Sequence, residues 1–176
     1  MIRVVLVDDQ AVVRAGFRVL LEDAAGIEIV GEAASGPEAV AVVRRTRPDV
    51  VCMDVRMPGG DGLTATRKIV AERDGALPAV LVVTTFDLDE YVFGALEAGA
   101  DGFVLKDCDP ADLADAIRRL AHGDGMLDQS VTRRVIAEFA RRRPAPVPGA
   151  ETEVLTSRER DIVRLHVPVE DGRVGA

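Results

Sequence analysis

Aspartates directly follow two apolar stretches of the chain. Asp8 and Asp9 come after the run IRVVLV at 2–7, and Asp54 closes the stretch DVVCMD at 49–54. Carboxylates are hard oxygen ligands of the kind that Mg²⁺ prefers, and an aspartate can also attack a phosphoryl group. Because no His or Cys accompanies the three side chains, they favour Mg²⁺ over zinc.

Other polar side chains end two further apolar stretches. Thr84 and Thr85 close AVLVVTT at 79–85, and Lys106 follows GFVL at 102–105. Three carboxylates in one crevice would repel one another by about 4 kcal/mol per close pair at an effective dielectric near 20. One Mg²⁺ ion and the lysine ammonium would together cancel their charge, and both could neutralise phosphoryl oxygens.

Asp54 is the carboxylate that we predict to be the nucleophile. It leads into the loop RMPGGDG at 56–62, whose proline and three glycines leave an open approach for a phosphoryl donor. Thr84 offers a hydroxyl at a neighbouring strand end, where it could bond a phosphoryl oxygen.

The elements that must position these residues alternate between apolar strands and amphipathic helices over residues 1–122. This alternation is typical of βαβ units and predicts an α/β fold with a doubly wound, five-stranded parallel sheet. The strands are predicted at 2–7, 27–33, 49–54, 79–85 and 102–105. The carboxyl ends of parallel strands share one edge of the sheet, so we expect the aspartates, threonines and lysine to converge there.

Helices are predicted between the strands from the spacing of apolar residues. Pro37 and Pro110 mark the starts of the second and fifth helices, the latter with Asp109 as its cap. Val13, Phe17, Leu20 and Leu21 are predicted to share the buried face of the first helix. A further helix from about 128 to 143 is predicted to bury Val131, Val135 and Phe139.

Composition excludes several classes of function. The net charge of -8 argues against a surface built for nonspecific contacts with nucleic acid, and 3% aromatic residues leave little for base stacking. No apolar run approaches the length of about 18 residues that a membrane span needs, and no secretory signal is evident. Cys52 and Cys108 lack metal spacing, so we expect a cytoplasmic protein without membrane contact, and Cys52 to be a small buried apolar residue.

The motifs VDD at 7–9, MDVRMPGGDGL at 53–63, TT at 84–85 and LKD at 105–107 agree in type, order and spacing with a known family. Residues 1–122 resemble the receiver domain of two-component response regulators. The resemblance implies a flavodoxin-like fold with strand order 2-1-3-4-5. It also implies that Asp54 is the phosphoacceptor and that Mg²⁺ is bound by Asp8, Asp9, Asp54 and the backbone carbonyl of Arg56.

The same resemblance implies a switch. A sensor histidine kinase would donate the phosphoryl group, Lys106 would pair with it, Thr84 would move inward as the switch hydroxyl, and Phe103 would change rotamer to follow. The face formed by the fourth helix, fifth strand and fifth helix would then reshape and bias homodimerisation. Apart from its own phosphoryl transfer and dephosphorylation, the protein is not expected to be an enzyme.

The C-terminal part has a second resemblance. LTSRERDIVRLH at 155–166 is similar to the opening helix of the DNA-binding domain of the NarL/FixJ, or LuxR-type, subfamily. We therefore predict a receiver domain at 1–122, a linker helix at 123–143, a proline-rich linker at 144–154 and an incomplete helix-turn-helix domain at 155–176 that is disordered or packs on a partner. Promoter DNA is expected to bind only a longer form of the chain.

Three other interpretations remain open at this point. An aspartate-based, Mg²⁺-dependent phosphatase would require a second acid two residues after Asp54, where the chain has Arg56. A nucleotide-binding domain would require a glycine-rich phosphate loop after the first strand, where the chain reads VDDQAVV. A structural dimerisation module with a vestigial acidic site would preserve the fold and lack phosphoryl transfer.

Overall fold

The computed structural model describes residues 1–58, 61–75, 77–85 and 89–142. Residues Met1–Ala137 form one compact unit, and Glu138–Ala176 form a second. The predicted proline-rich linker at 144–154 and the helix-turn-helix segment at 155–176 lie outside the described residues. The predicted domain boundaries therefore stay predictions.

A single parallel sheet organises the first unit. Its strands lie in the order β2-β1-β3-β4-β5-β6, which confirms the five predicted strands and their 2-1-3-4-5 arrangement. Their bounds are β1 Ile2–Val7, β2 Ile27–Ala33, β3 Val50–Met53, β4 Ala79–Thr84, β5 Gly102–Leu105 and β6 Met126–Leu127. The sequence did not predict β6, because a strand of two residues is too short to show a periodic pattern.

Helices connect successive strands and continue after β6. Within the described ranges they are α1 Ala11–Glu22, α2 Gly36–Thr46, α3 Asp61–Glu72, α4 Asp89–Glu97, α5 Pro110–Ala121 and α6 Gln129–Arg142. The predicted cap of α5 is present, since the Asp109 carboxylate accepts a hydrogen bond from the Ala111 N–H at 2.8 Å. No helix in this part of the chain is long and apolar enough to cross a membrane.

The strands bury side chains on both faces of the sheet. Alternate residues of one strand point to opposite faces, so Val4 and Leu6 of β1 pack with α1 and α5, whereas Val5 and Val7 pack with α2 and α3. Each fully buried aliphatic side chain contributes roughly 1.5–3 kcal/mol. This two-sided burial holds β1, β3 and β4 in register, and their carboxyl ends consequently form one edge.

Two residues predicted to be buried are exposed. Leu20 is 42% exposed on α1, and Phe139 is 71% exposed on α6. Leu20 and Leu21 are neighbours in a helix and point about 100° apart, so only Leu21, which is 1% exposed, reaches the core. Phe139 lies beyond the end of the first unit, in which Val131 is fully buried and Val135 partly buried.

Cys52 is buried in β3, as predicted for a small apolar residue. Burial, with a smaller contribution from the nearby Cys108 thiol, raises the pKa of Cys52 to about 12. Its sulfur therefore stays protonated and unreactive at neutral pH.

Glu32 connects the edge strand β2 to α1. Its carboxylate accepts hydrogen bonds from Nε of Arg18 at 2.9 Å and from Nε of Arg14 at 3.1 Å. The hydrogen bond from Arg18 lowers the pKa of Glu32 below its ordinary value of 4.5; partial burial opposes this shift, and Arg14 adds to it. The guanidinium groups of Arg14 and Arg18 therefore lie next to the edge strand β2.

Replacing the Glu32 carboxylate is expected to make the free energy of unfolding less dependent on pH in the acid range. Glu32→Gln should lower the free energy of unfolding at neutral pH by about 1 kcal/mol, because the ion pairs are partly exposed. The contribution of Glu32 is complete above its unfolded pKa and is lost as the pH falls through its lower folded pKa, so the difference from wild type should shrink in acid. Urea unfolding across a pH series measures this difference. Glu28→Gln, on an exposed position of the same strand, is the control; an equal loss there would contradict the assignment.

Candidate functional site

Asp8, Asp9 and Asp54 meet at the carboxyl edge of the sheet. Strands β1 and β3 are neighbours in which Val7 pairs with Met53, so the residues that follow them lie side by side. One carboxylate oxygen from each aspartate lies within 4.8 Å of the others. Asp8 and Asp54 are 2% and 3% exposed, and Asp9 is the most accessible of the three. The structure thus brings together all three predicted acids.

Lys106 joins two of these carboxylates. Its Nζ donates hydrogen bonds to Oδ2 of Asp8 at 2.5 Å and to Oδ2 of Asp54 at 2.8 Å. Burial disfavours the ammonium charge, but the hydrogen bonds to Asp54 and Asp8 outweigh it, and the pKa of Lys106 is raised above its usual value. The lysine therefore carries a positive charge within the cluster at neutral pH.

Backbone donors orient the two buried carboxylates. The second oxygen of Asp54, Oδ1, accepts the N–H of Arg56 at 3.0 Å, and Oδ1 of Asp8 accepts the N–H of Gln10 at 2.8 Å. Each aspartate thus bonds the backbone two residues further on, an arrangement that fixes the carboxylate relative to its own loop. This turn places Arg56 beside the cluster; the role of its carbonyl as a metal ligand stays a prediction.

Thr84, Thr85 and Phe103 occupy three different environments. Thr84 is fully buried at the end of β4, and its carbonyl accepts the N–H of Lys106 at 2.8 Å. Thr85 follows it on the exposed side. Phe103 is fully buried among residues of α4 and α6, in a cluster separate from the carboxylates. The switch roles of Thr84 and Phe103 stay predictions.

Gly62 contributes to the site in a way that the sequence did not indicate. A Cβ atom at this position would lie 2.1 Å from the carbonyl oxygen of Asp54 and 2.6 Å from Cα of Val55. Only glycine lets the start of α3 approach the end of β3 this closely. The sequence suggested an open glycine loop, whereas this glycine supports the backbone of Asp54; Gly59 and Gly60 lie outside the described residues.

The side chains of two arginines near the site were also given no role from the sequence. Nη1 of Arg14 donates to the carbonyl oxygen of Asp8 at 2.7 Å, which ties the loop after β1 to α1. The guanidinium of Arg56 lies 6.0 Å from the ring centroid of Tyr91, a cation–π contact with α4. The sequence did hold a signal for Arg14. It is a charged residue that lies between Val13 and Phe17, on the inner side of α1.

The donor set fits a hard divalent cation. Three ionised carboxylates carry a charge of -3 and Lys106 adds +1, which leaves -2 for a metal ion to balance. All three side-chain donors are carboxylate oxygens, the ligand type preferred by Mg²⁺. Asp9, which makes none of the ion pairs with Lys106, keeps its carboxylate accessible for such an ion.

Comparison with known proteins agrees with this architecture. Residues 4–118 match the response regulator receiver domain family. The chain is 38% identical over 165 residues to the transcriptional regulatory proteins YxjL and LiaR of Bacillus subtilis strain 168, covering 93% and 94% of this chain and 74% and 76% of those proteins. A solved LuxR-family two-component response regulator from Aurantimonas sp. SI85-9A1 superposes with a TM-score of 0.73 at 38% identity, covering 80% of this chain and 99% of that one.

The family match spans well over half of the chain and includes every residue of the acidic cluster and Lys106. The relatives are 38% identical to this chain over aligned segments that cover most of both lengths. This chain therefore belongs to the LuxR-family response regulators of two-component systems, a family that regulates transcription, and it contains their receiver domain.

Proposed function

We propose that this protein is switched by phosphorylation of Asp54, with a sensor histidine kinase as the phosphoryl donor. The observation that supports this most directly is the setting of the Asp54 carboxylate, which is held between the Lys106 ammonium group and two further acids at the accessible edge of the sheet. A carboxylate whose orientation is fixed in this way would need little reorganisation to attack a phosphoryl group.

The transfer requires one bond to form and one to break. A carboxylate oxygen of Asp54 forms a bond to phosphorus as the bond from phosphorus to the donor nitrogen breaks, and the product is an acyl phosphate. Lys106 already donates to Oδ2 of Asp54, so its ammonium group can pair with the oxygens of the arriving phosphoryl group. Asp54 keeps its orientation through the N–H of Arg56.

Asp8, Asp9 and Asp54 would hold Mg²⁺ together with the backbone carbonyl of Arg56. When bound, the ion would neutralise negative charge on the phosphoryl oxygens and so lower the barrier to transfer. Asp8 shares Lys106 with Asp54, and this pairing keeps the buried carboxylates close enough to bind the same ion.

Thr84 and Phe103 would communicate the modification. The Thr84 hydroxyl would bond a phosphoryl oxygen at the end of β4, and Phe103, fully buried on the neighbouring strand, would shift into the space that Thr84 leaves. The resulting change in the α4–β5–α5 face would favour a homodimer. In this scheme the protein catalyses only its own phosphorylation and dephosphorylation.

The residue at position 56 argues against the phosphatase interpretation. It would need an acid at position 56, where the chain carries an arginine whose guanidinium lies over Tyr91. Steady turnover of a phosphate ester, without a stable phosphoprotein, would support that alternative.

Phosphorylation should be specific to Asp54. Incubation with acetyl phosphate and Mg²⁺ should add the mass of one phosphoryl group to the wild-type protein and none to Asp54→Asn, because the anionic carboxylate nucleophile becomes a neutral amide. Intact mass spectrometry measures this change. Asp107→Asn, which removes a neighbouring exposed carboxylate, should be labelled like wild type; labelling of Asp54→Asn would contradict the assignment.

Binding of Mg²⁺ should depend on Asp9. Asp9→Asn is expected to weaken Mg²⁺ binding at least about tenfold, because it removes an accessible anionic ligand without disturbing the ion pairs of Lys106. Titration calorimetry measures the affinity, with Asp107→Asn again as the control. Equal Mg²⁺ affinity in wild type and Asp9→Asn would exclude this site.

Lys106 should have opposite effects on metal binding and on transfer. Lys106→Met leaves the acids with a charge of -3, so Mg²⁺ should bind at least as tightly as in wild type. Phosphorylation by acetyl phosphate should nevertheless slow about a hundredfold, because the group that pairs with the phosphoryl oxygens is missing. Calorimetry and the rate of mass gain separate the two effects; a parallel loss of both would indicate a merely structural lysine.

A further inference from the structure

One peptide group joins two of the three acids at the edge of the sheet. It consists of the carbonyl of Asp8 and the nitrogen of Asp9, so its orientation decides where the Asp9 side chain projects. The N–H of Asp8 donates to the carbonyl oxygen of Ala33 at 3.1 Å, and its carboxylate accepts from the N–H of Gln10 and from Nζ of Lys106. The Asp9 carboxylate takes part in none of these contacts, and its direction therefore depends on the backbone.

The side chain of Arg14 holds the carbonyl end of this peptide. Its Nη1 donates to the carbonyl oxygen of Asp8 at 2.7 Å, and the side chain is 17% exposed. Helix α1 begins after Gln10, whose side chain makes no capping hydrogen bond. A capping side chain commonly fixes the chain where it enters a helix. The Arg14 guanidinium, one turn into α1, here ties the helix to the preceding loop instead.

Glu32 of the edge strand β2 fixes the other side of the same guanidinium. Its Oε2 accepts Nε of Arg14 at 3.1 Å, and its backbone pairs with Leu6 of β1. A guanidinium presents its donors in a rigid, planar fork, so a single group spans from the Glu32 carboxylate to the Asp8 carbonyl. The contacts thus run from the sheet through Arg14 to the loop that carries the acids.

We propose that Arg14, held by Glu32, is a positioning residue of the divalent-cation site. It fixes the peptide between Asp8 and Asp9 and so aims the Asp9 carboxylate at the ion. This inference rests on the Mg²⁺ site of the proposed function and adds to it a residue that is not one of its ligands. Without Arg14 the peptide is free to rotate, and ion binding must first restore the direction of Asp9.

Charge and positioning predict opposite effects of removing Arg14. By charge alone, the loss of a cation near three carboxylates would strengthen Mg²⁺ binding. A positioning role requires that Arg14→Met weaken Mg²⁺ binding, by at least about fivefold. Arg18→Met is the matched control, because it removes the same charge from the same helix. The hydrogen bonds of Arg18 in the described structure go to the shared partner Glu32.

Titration calorimetry of the whole chain with MgCl₂ measures these affinities. Arg18→Met should bind Mg²⁺ at least as tightly as wild type, and Arg14→Met should bind it more weakly. Arg14→Lys should recover part of the loss, since an ammonium group can donate to the Asp8 carbonyl but lacks the fork that also serves Glu32. Equal or tighter binding in Arg14→Met, or an equal loss in Arg18→Met, would overturn the positioning role.

Hydrogen–deuterium exchange without Mg²⁺ gives a readout that needs no ion. The amides of residues 9–11, followed by NMR, should exchange at least about threefold faster in Arg14→Met than in wild type, because the peptide before them is no longer held. Arg18→Met should match wild type in this segment. Identical exchange in the two variants would contradict a specific role for Arg14.

If Arg14→Met does not fold, Arg14→Lys and Arg18→Lys carry the same comparison with the charge retained, and equal Mg²⁺ affinities in that pair would overturn the positioning role. A wild-type protein that binds no Mg²⁺ would overturn the proposed metal site and the role of Arg14 together. Wild-type binding that is weakened by Asp9→Asn but not by Arg14→Met would overturn the role of Arg14 alone.

Discussion

The carboxylates of Asp8 and Asp54 are both buried, and the ammonium group of Lys106 lies between them. Two like charges at this separation would repel strongly in a poorly solvated environment, and removal of the shared cation would leave both uncompensated. The ammonium group of Lys106 thus compensates negative charge where the two carboxylates lie side by side. The remaining charge of -2 and the accessible Asp9 suit the cluster to a divalent ion, which the proposed phosphoryl transfer requires.

The energy that maintains this arrangement comes from apolar residues elsewhere. Strands β1, β3 and β4 bury nearly all of their side chains between two layers of helices, which holds their carboxyl ends in register. Close backbone contacts complete the positioning: Gly62 lies against the backbone of Asp54, and Arg14 bonds the carbonyl of Asp8. The hydrophobic layers thereby offset the cost of gathering charged groups at one edge.

The same strands connect the acidic edge to the helical surface. Phe103 of β5 belongs to the cluster that contains Val131 of α6 and Val92 of α4, and Lys106 follows it at the strand end. Residues of α6 therefore occupy part of the α4–β5 face.

The sequence by itself determined the strands, their 2-1-3-4-5 order through its resemblance to receivers, and the meeting of Asp8, Asp9, Asp54 and Lys106 at one edge. These features follow from local periodicity and from the position of each polar residue at a strand end. Only the tertiary structure decided that Leu20 and Phe139 are exposed, that Met126–Leu127 forms a sixth strand and that α6 covers Phe103. Those outcomes depend on contacts between residues far apart in the chain, whose geometry is set by packing and not by any pattern along the sequence.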